Sequence, residues 1–249
     1  MIRTLTCALS VTAMAPLLAA QAAEPAKPVQ EEQPVMVKEP ETGILFPSFL
    51  RAPRGEQTSR QELLGLGARE KTVFKVNVYA MGLYVDFAAA EPVLRKALGQ
   101  RTLKEAKKDK AFHDAFLNDD FGKTLRWVMA RDVGGDDIAE AFRESLEPRV
   151  QAAKLDATQR QAAEQALRSF RSLFTTELTE GTELIFSWEP GGRLHTIVGG
   201  VRKEVITSVP LCRAMFDIYL GADPISATAK ARFLEGAYAR IHPQGAEAR

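Results

Sequence analysis

The stretch that decides the fold is Leu64–Asp86, which reads LGLGAREKTVFKVNVYAMGLYVD. Gly65 and Gly67 allow the backbone to turn tightly or to approach another segment closely, and they predict a turn just before Arg69. From Thr72 onward the residues are mainly β-branched and aromatic, which predicts one long strand or two strands joined at a bend. The stretch therefore predicts an arginine at the mouth of an apolar strand, where it can receive an anion; a solvated surface arginine is the alternative.

The N-terminal 22 residues have the three parts of a secretory signal peptide. Arg3 precedes an apolar region that extends to Leu18, and the triplet Ala20–Ala22 supplies small residues at a cleavage site. We therefore expect cleavage before Ala23 and a periplasmic or secreted protein.

The rest of the chain has the composition of one neutral globular domain. Without residues 1–22, 227 residues with no net charge remain, which excludes the basic surface of a nucleic-acid-binding protein. Cys212 is then the only cysteine, so no intramolecular disulfide is expected, and no stretch of about 18 apolar residues predicts a transmembrane helix. Composition predicts a flexible Pro/Glu-rich leader at 23–42, a domain at 43–240 and a disordered tail at 241–249.

The apolar pattern along the domain places strands first, then helices, a hairpin and further helices. Two alternating runs around Pro190-Gly191-Gly192 predict a β-hairpin over Thr182–Val198. The predicted helices are Pro92–Leu98, Leu103–Asp114, Asp120–Arg131, a segment from Asp136 or Asp137 to about Pro148, Asp156–Phe174, Ser208–Leu220 and Ser226–Ala239. This order predicts an α+β domain with an antiparallel sheet covered on one face by a layer of helices.

Four motifs in this order resemble the chalcone isomerase superfamily over residues 43–240. They are Gly65-x-Gly67-x-Arg69, the strand end Tyr79–Val85, the hairpin Gly181–Gly192 and the segment Leu220–Ser226. The resemblance implies the open-faced sandwich of that family, with an apolar ligand cleft between the sheet and the helices. The family contains isomerases that close a chalcone to a flavanone and non-catalytic members that bind fatty acids, and some relatives bind haem.

The resemblance assigns candidate site residues by position. Arg69 matches the family arginine that holds the ligand oxygen, while Tyr79 replaces the threonine of the isomerases. Phe121 and Val128 replace a tyrosine and an asparagine of their active site. Arg69, Tyr79, Phe121, Leu125 and Val128 are therefore the predicted ligand-binding residues, and the predicted ligand is a fatty acid or a similar amphipathic carboxylate, bound without catalysis.

Three other functions remain open at this point, and one of them is a structural or partner-binding role without a small ligand. An isomerase or intramolecular lyase would use Arg69 and Tyr79 as its catalytic residues, and a haem-binding protein would use a histidine such as His195. His113, His195 and His242 are scattered along the chain and match no metal-binding spacing. We therefore expect no metal and no cofactor, and the sequence leaves the oligomeric state open.

Overall fold

The computed structural model describes residues 32–71 and 76–243, and an antiparallel sheet runs through this part of the chain. Its strands, in spatial order, are β10 (Ile206–Thr207), β8 (Arg193–Val198), β7 (Glu183–Glu189), β6 (Lys123–Met129), β5 (Val76–Val85), β4 (Gln57–Lys71) and β3 (Phe49–Arg54). Strand β9 (Val201–Arg202) pairs with β8, and β1 (Met36–Lys38) and β2 (Leu45–Pro47) form a separate pair. These pairings are all antiparallel.

Helices cover one face of this sheet. They are α1 (Phe87–Leu98), α2 (Leu103–Ala106), α3 (Lys110–Ala115), α4 (Gly135–Ala152), α5 (Ala157–Arg171), α6 (Val209–Leu220) and α7 (Ala227–Ile241). On β5, Tyr79, Met81 and Leu83 alternate into the main core against helical side chains, whereas Ala80 and Tyr84 join a small cluster on the other face. The predicted α+β sandwich is confirmed. In the described residues, no helix combines the length and hydropathy that crossing a membrane requires.

Local sequence signals placed several elements correctly. The Pro-Gly-Gly turn joins β7 to β8 as predicted. Asp156 and Gln159 form a reciprocal capping box at the start of α5, which satisfies two backbone N–H groups that the first helical turn leaves unpaired. Ser208 caps α6, with Pro210 in its first turn.

The predicted helix Asp120–Arg131 is wrong, because this segment contains β6. Its Leu125 and Trp127 point into the main core, while Val128 packs into the small cluster on the opposite face. A strand that is buried on both faces shows no clear alternation of apolar and polar residues, and its apolar positions matched a helical spacing by chance. The predicted helix Leu103–Asp114 is also divided, into α2 and α3.

The predicted turn at Gly65 and Gly67 is wrong as well, since both glycines lie inside β4. They are needed because α7 crosses this strand at very short range. A Cβ on Gly65 would lie 2.8 Å from the backbone oxygen of Arg232, and one on Gly67 would lie 2.4 Å from the Cβ of Ala229. The glycines therefore allow a helix to press on the strand that carries Arg69.

The leader at 23–42 is ordered where the structure describes it. β1 lies within it, and the fully buried Glu39 accepts hydrogen bonds from the backbone N–H groups of Glu41 and Thr42 and pairs with Arg232 of α7. The prediction of a flexible leader therefore does not hold for the part that contains β1 and Glu39. The predicted signal peptide at 1–22 lies outside the described residues, as do residues 244–249 of the predicted tail.

Candidate functional site

A cavity of about 340 Å³ lies between the sheet and helices α4 and α6. This volume falls within the range of about 300–1,000 Å³ that is usual for small-molecule sites. The sheet contributes Arg69, Val78, Tyr79 and Trp127, and the helices contribute, among others, Ile138, Phe142, Ile218 and Tyr219. Ten of the sixteen lining residues are aromatic or aliphatic, and the other six are charged or polar.

Arg69 and Tyr79, two of the predicted ligand-binding residues, both line this cavity. They are directly paired across β4 and β5, so their side chains leave the sheet on the same face. The pairing register shifts immediately afterwards, and Val78 is the extra residue of the resulting β-bulge. Such bulges often redirect a side chain next to a functional site. Arg69 is half-buried, and its guanidinium has no hydrogen bond or ion pair to any described residue.

A second tyrosine, Tyr219 of α6, completes the polar end of the cavity. Its hydroxyl lies 2.6 Å from the hydroxyl of Tyr79, and both side chains are buried. Burial raises the pKa of Tyr79 to about 12, against a smaller lowering by the charge of Arg69. Burial likewise raises the pKa of Tyr219 well above its ordinary value. Both phenols therefore stay protonated at neutral pH and act as neutral hydrogen-bonding groups.

Aromatic rings line the cavity beyond the two tyrosines. The Trp127 ring stacks on the Tyr79 ring with centroids 4.1 Å apart, and it also stacks on Phe142 at 5.5 Å. Two further rings support these without lining the cavity: Phe186 meets Trp127 edge to face at 4.9 Å, and Phe170 packs against Phe142 at the same distance. This packing fixes the Tyr79 ring and makes the interior apolar.

The outer edge of the cavity is charged. Arg131, which follows β6, and Asp137, Glu140 and Glu144 of α4 are exposed side chains that line it. The cavity therefore changes from a polar edge to an apolar interior, an arrangement that suits an amphipathic molecule.

Three predicted ligand-binding residues lie elsewhere. Phe121 is buried just before β6, where its ring contacts the ammonium group of Lys123 at 4.4 Å. Leu125 is fully buried in the main core without lining the cavity, and Val128 faces the other side of the sheet. Their assignment assumed a helix beside the cleft. Because the segment is a strand, its side chains are distributed over two faces and along its length.

Tyr219 is the site residue that sequence analysis missed. It lies in a helix that was interpreted only as buried, and 140 residues separate it from Tyr79. The available signal was a hydroxyl on the buried side of a mainly apolar helix.

The histidines are separate from this cavity. The Nε2 atom of His195 lies 2.7 Å from Glu189 Oε2, and His195 does not line the cavity. Among the described residues, no group of three or more His, Cys, Asp or Glu side chains is placed to hold a metal ion.

Several known proteins are similar to this chain in sequence and in fold. The family model for chalcone isomerase-like proteins matches residues 59–234. Fatty-acid-binding protein 1 of Arabidopsis thaliana is 27% identical over 207 residues, which cover 81% of this chain and 70% of that protein. A rice (Oryza sativa subsp. japonica) chalcone–flavanone isomerase is 26% identical over 199 residues, which cover 76% of this chain and 83% of the isomerase.

The fold is also similar to that of a known fatty-acid-binding protein. The crystal structure of an A. thaliana fatty-acid-binding protein aligns with a TM-score of 0.69 at 25% identity, covering 83% of this chain and 99% of that one. The resemblance found in the motifs is therefore confirmed by a family match over most of the chain and by the shared architecture. This protein belongs to the chalcone isomerase-like family.

Proposed function

We propose that this protein binds a fatty acid or a similar amphipathic carboxylate and catalyses no reaction on it. The observation that carries the proposal is the pairing of Arg69 with Tyr79 at the polar end of a cavity whose buried part is mainly aromatic. A guanidinium binds a carboxylate through two parallel hydrogen bonds, and a phenol can add a third. The guanidinium of Arg69 has no partner among the described residues and is available for this contact.

The aromatic interior supports an acyl chain as the rest of the ligand. Burial of each methylene group contributes about 0.8 kcal/mol, before the cost of fixing the ligand in one conformation. The charged edge formed by Arg131 and Asp137 keeps the entrance wet, whereas Trp127, Phe142 and Ile218 offer apolar contacts further in.

The chemistry of the site favours binding over catalysis. The two relatives named above include an isomerase and a fatty-acid-binding protein at nearly equal identity, so the site residues must decide between them. Closing a chalcone ring requires several directed donors, and each missing donor costs about 10²–10³ in rate. Tyr79 replaces the threonine of the isomerases. Phe121 and Val128, which the resemblance matched to their tyrosine and asparagine, do not line this cavity and so supply no donor to a molecule bound in it.

Native mass spectrometry of the purified protein tests the proposal. We expect a copurified small molecule that proves to be a long-chain carboxylate after release and identification. An uncharged or carboxylate-free ligand would contradict it. Loss of chalcone absorbance faster than the spontaneous reaction, abolished by Arg69→Gln, would instead establish the isomerase.

We also propose that the protein is exported and works in the periplasm or outside the cell. The support is the signal-peptide pattern of residues 1–22. Mass spectrometry of the mature N-terminus after subcellular fractionation tests this. A chain that begins at Ala23 in the exported fraction is expected, and a chain that keeps Met1 and stays in the cytoplasm would refute export.

A further inference from the structure

The indole N–H of Trp127 is a buried donor without a partner. Trp127 is 3% exposed and lines the cavity that holds Arg69 and Tyr79. Its Nε1 atom has no hydrogen bond within the described part of the chain. The other tryptophan, Trp188, is equally buried, but its Nε1 donates to Asp119 at 2.6 Å. Buried donors are almost always satisfied, so the exception at Trp127 requires an explanation.

The surrounding rings hold the indole in place. Tyr79 and Phe142 stack on it with interplanar angles of 5° and 17°, and Phe186 and Tyr219 meet it edge to face at 71° and 74°. A phenylalanine at this position would keep stacking contacts without burying a polar group. A tryptophan there carries the cost of a dehydrated N–H unless a bound molecule accepts its hydrogen bond.

The number of hydrogen-bond donors in the cavity matches the number of acceptor positions on a carboxylate. A carboxylate has about four lone-pair positions. The Arg69 fork can fill two of them, and the Tyr79–Tyr219 pair has one free O–H, because one of its two protons lies in the bond between the hydroxyls. One position is left for a further donor, and Trp127 is the remaining cavity residue with an unpaired buried N–H.

We propose that the Nε1–H group of Trp127 donates a hydrogen bond to the carboxylate of the bound ligand. The inference rests on the proposed function and adds a fourth donor to its site. It also predicts selectivity, since an acyl alcohol of the same length offers fewer acceptor positions and no charge.

Solution NMR of the ¹⁵N-labelled protein tests this directly. The sequence contains two tryptophans, so two indole N–H signals are expected, and Trp127→Phe assigns them. Titration with dodecanoate should move the Trp127 signal downfield and leave the Trp188 signal in place. A Trp127 signal that stays unchanged while dodecanoate binds would overturn the inference and would indicate an N–H to ring contact with Phe186 instead.

Calorimetry separates this inference from the function on which it rests. Trp127→Phe should weaken dodecanoate binding about tenfold or more and change dodecanol binding much less. Equal dodecanoate affinity in the wild type and the variant would refute the role of Trp127 and leave the fatty-acid function intact. Absence of dodecanoate binding in the wild type would refute both. If Trp127→Phe loses its fold, Trp188→Phe assigns the two indole signals instead, and the NMR titration of the wild type decides.

Discussion

The hydroxyl pair of Tyr79 and Tyr219 predicts a strong coupling between the two residues in the free energy of unfolding. The hydroxyls lie 2.6 Å apart, and the side chains are 4% and 0% exposed. Removal of either hydroxyl leaves the other buried without this partner, which costs about 1–3 kcal/mol. Removal of both leaves no orphan, so Tyr79→Phe and Tyr219→Phe together should destabilise by clearly less than the sum of the single losses. The expected coupling energy is about 1–2 kcal/mol.

Urea unfolding of the four proteins at pH 7, followed by tryptophan fluorescence, measures this coupling. Tyr84→Phe provides the matched control, because its hydroxyl donates instead to the backbone oxygen of Pro47 on the other side of the sheet. The losses of unfolding free energy in Tyr84→Phe and Tyr219→Phe should add in their double variant to within about 0.5 kcal/mol. If the losses of unfolding free energy in Tyr79→Phe and Tyr219→Phe simply add in the double variant, the hydrogen bond between the two hydroxyls would be refuted.

Two further predictions concern the frame around the site. A Cβ on Gly236 would lie 1.6 Å from the backbone oxygen of Leu64. Gly236→Ala should therefore lower the unfolding free energy in urea by about 2 kcal/mol or more, because a packing cost of about 3 kcal/mol exceeds the helix-propensity gain of about 1 kcal/mol. A stabilised variant would contradict the close contact of α7 with β4. Burial lowers the pKa of the Lys123 ammonium group to about 7, whereas the value for an unfolded chain is about 10.4. Between these two values the unfolded chain binds a proton more tightly than the folded protein does. The contribution of Lys123 to stability is therefore present above about pH 10 and is lost as the pH falls toward 7. The unfolding free energy of the wild type should therefore rise relative to that of Lys123→Met from pH 7 to 10, and parallel pH profiles would contradict this.

Elements with local signals could be predicted from the sequence. The hairpin of β7 and β8 depends on its Pro-Gly-Gly turn, and α5 depends on a cap at Asp156 followed by a regular apolar stripe. The pairing of Arg69 with Tyr79 could also be anticipated, because both residues belong to one short stretch and one family motif.

The rest depended on contacts between distant parts of the chain. β6 was predicted as a helix because both of its faces are buried, one under helices and one against the cluster of Phe46. Gly67 suggested a turn, whereas its role is the contact with Ala229 of α7. Tyr219 joins Tyr79 only after the fold has formed, and nothing in its local sequence predicts that pairing.

Calorimetric titration with dodecanoate of the wild type, Arg69→Gln and Arg168→Gln tests the central claim most directly. Arg168 is an exposed arginine of α5 that donates a hydrogen bond to Gln165 and does not line the cavity, so its variant should bind like the wild type. Loss of the Arg69 fork should cost about 2 kcal/mol, the lower end for a charge pair because Arg69 is only half-buried, and hence about 30-fold in affinity. Equal affinity of all three proteins would contradict a carboxylate site at Arg69.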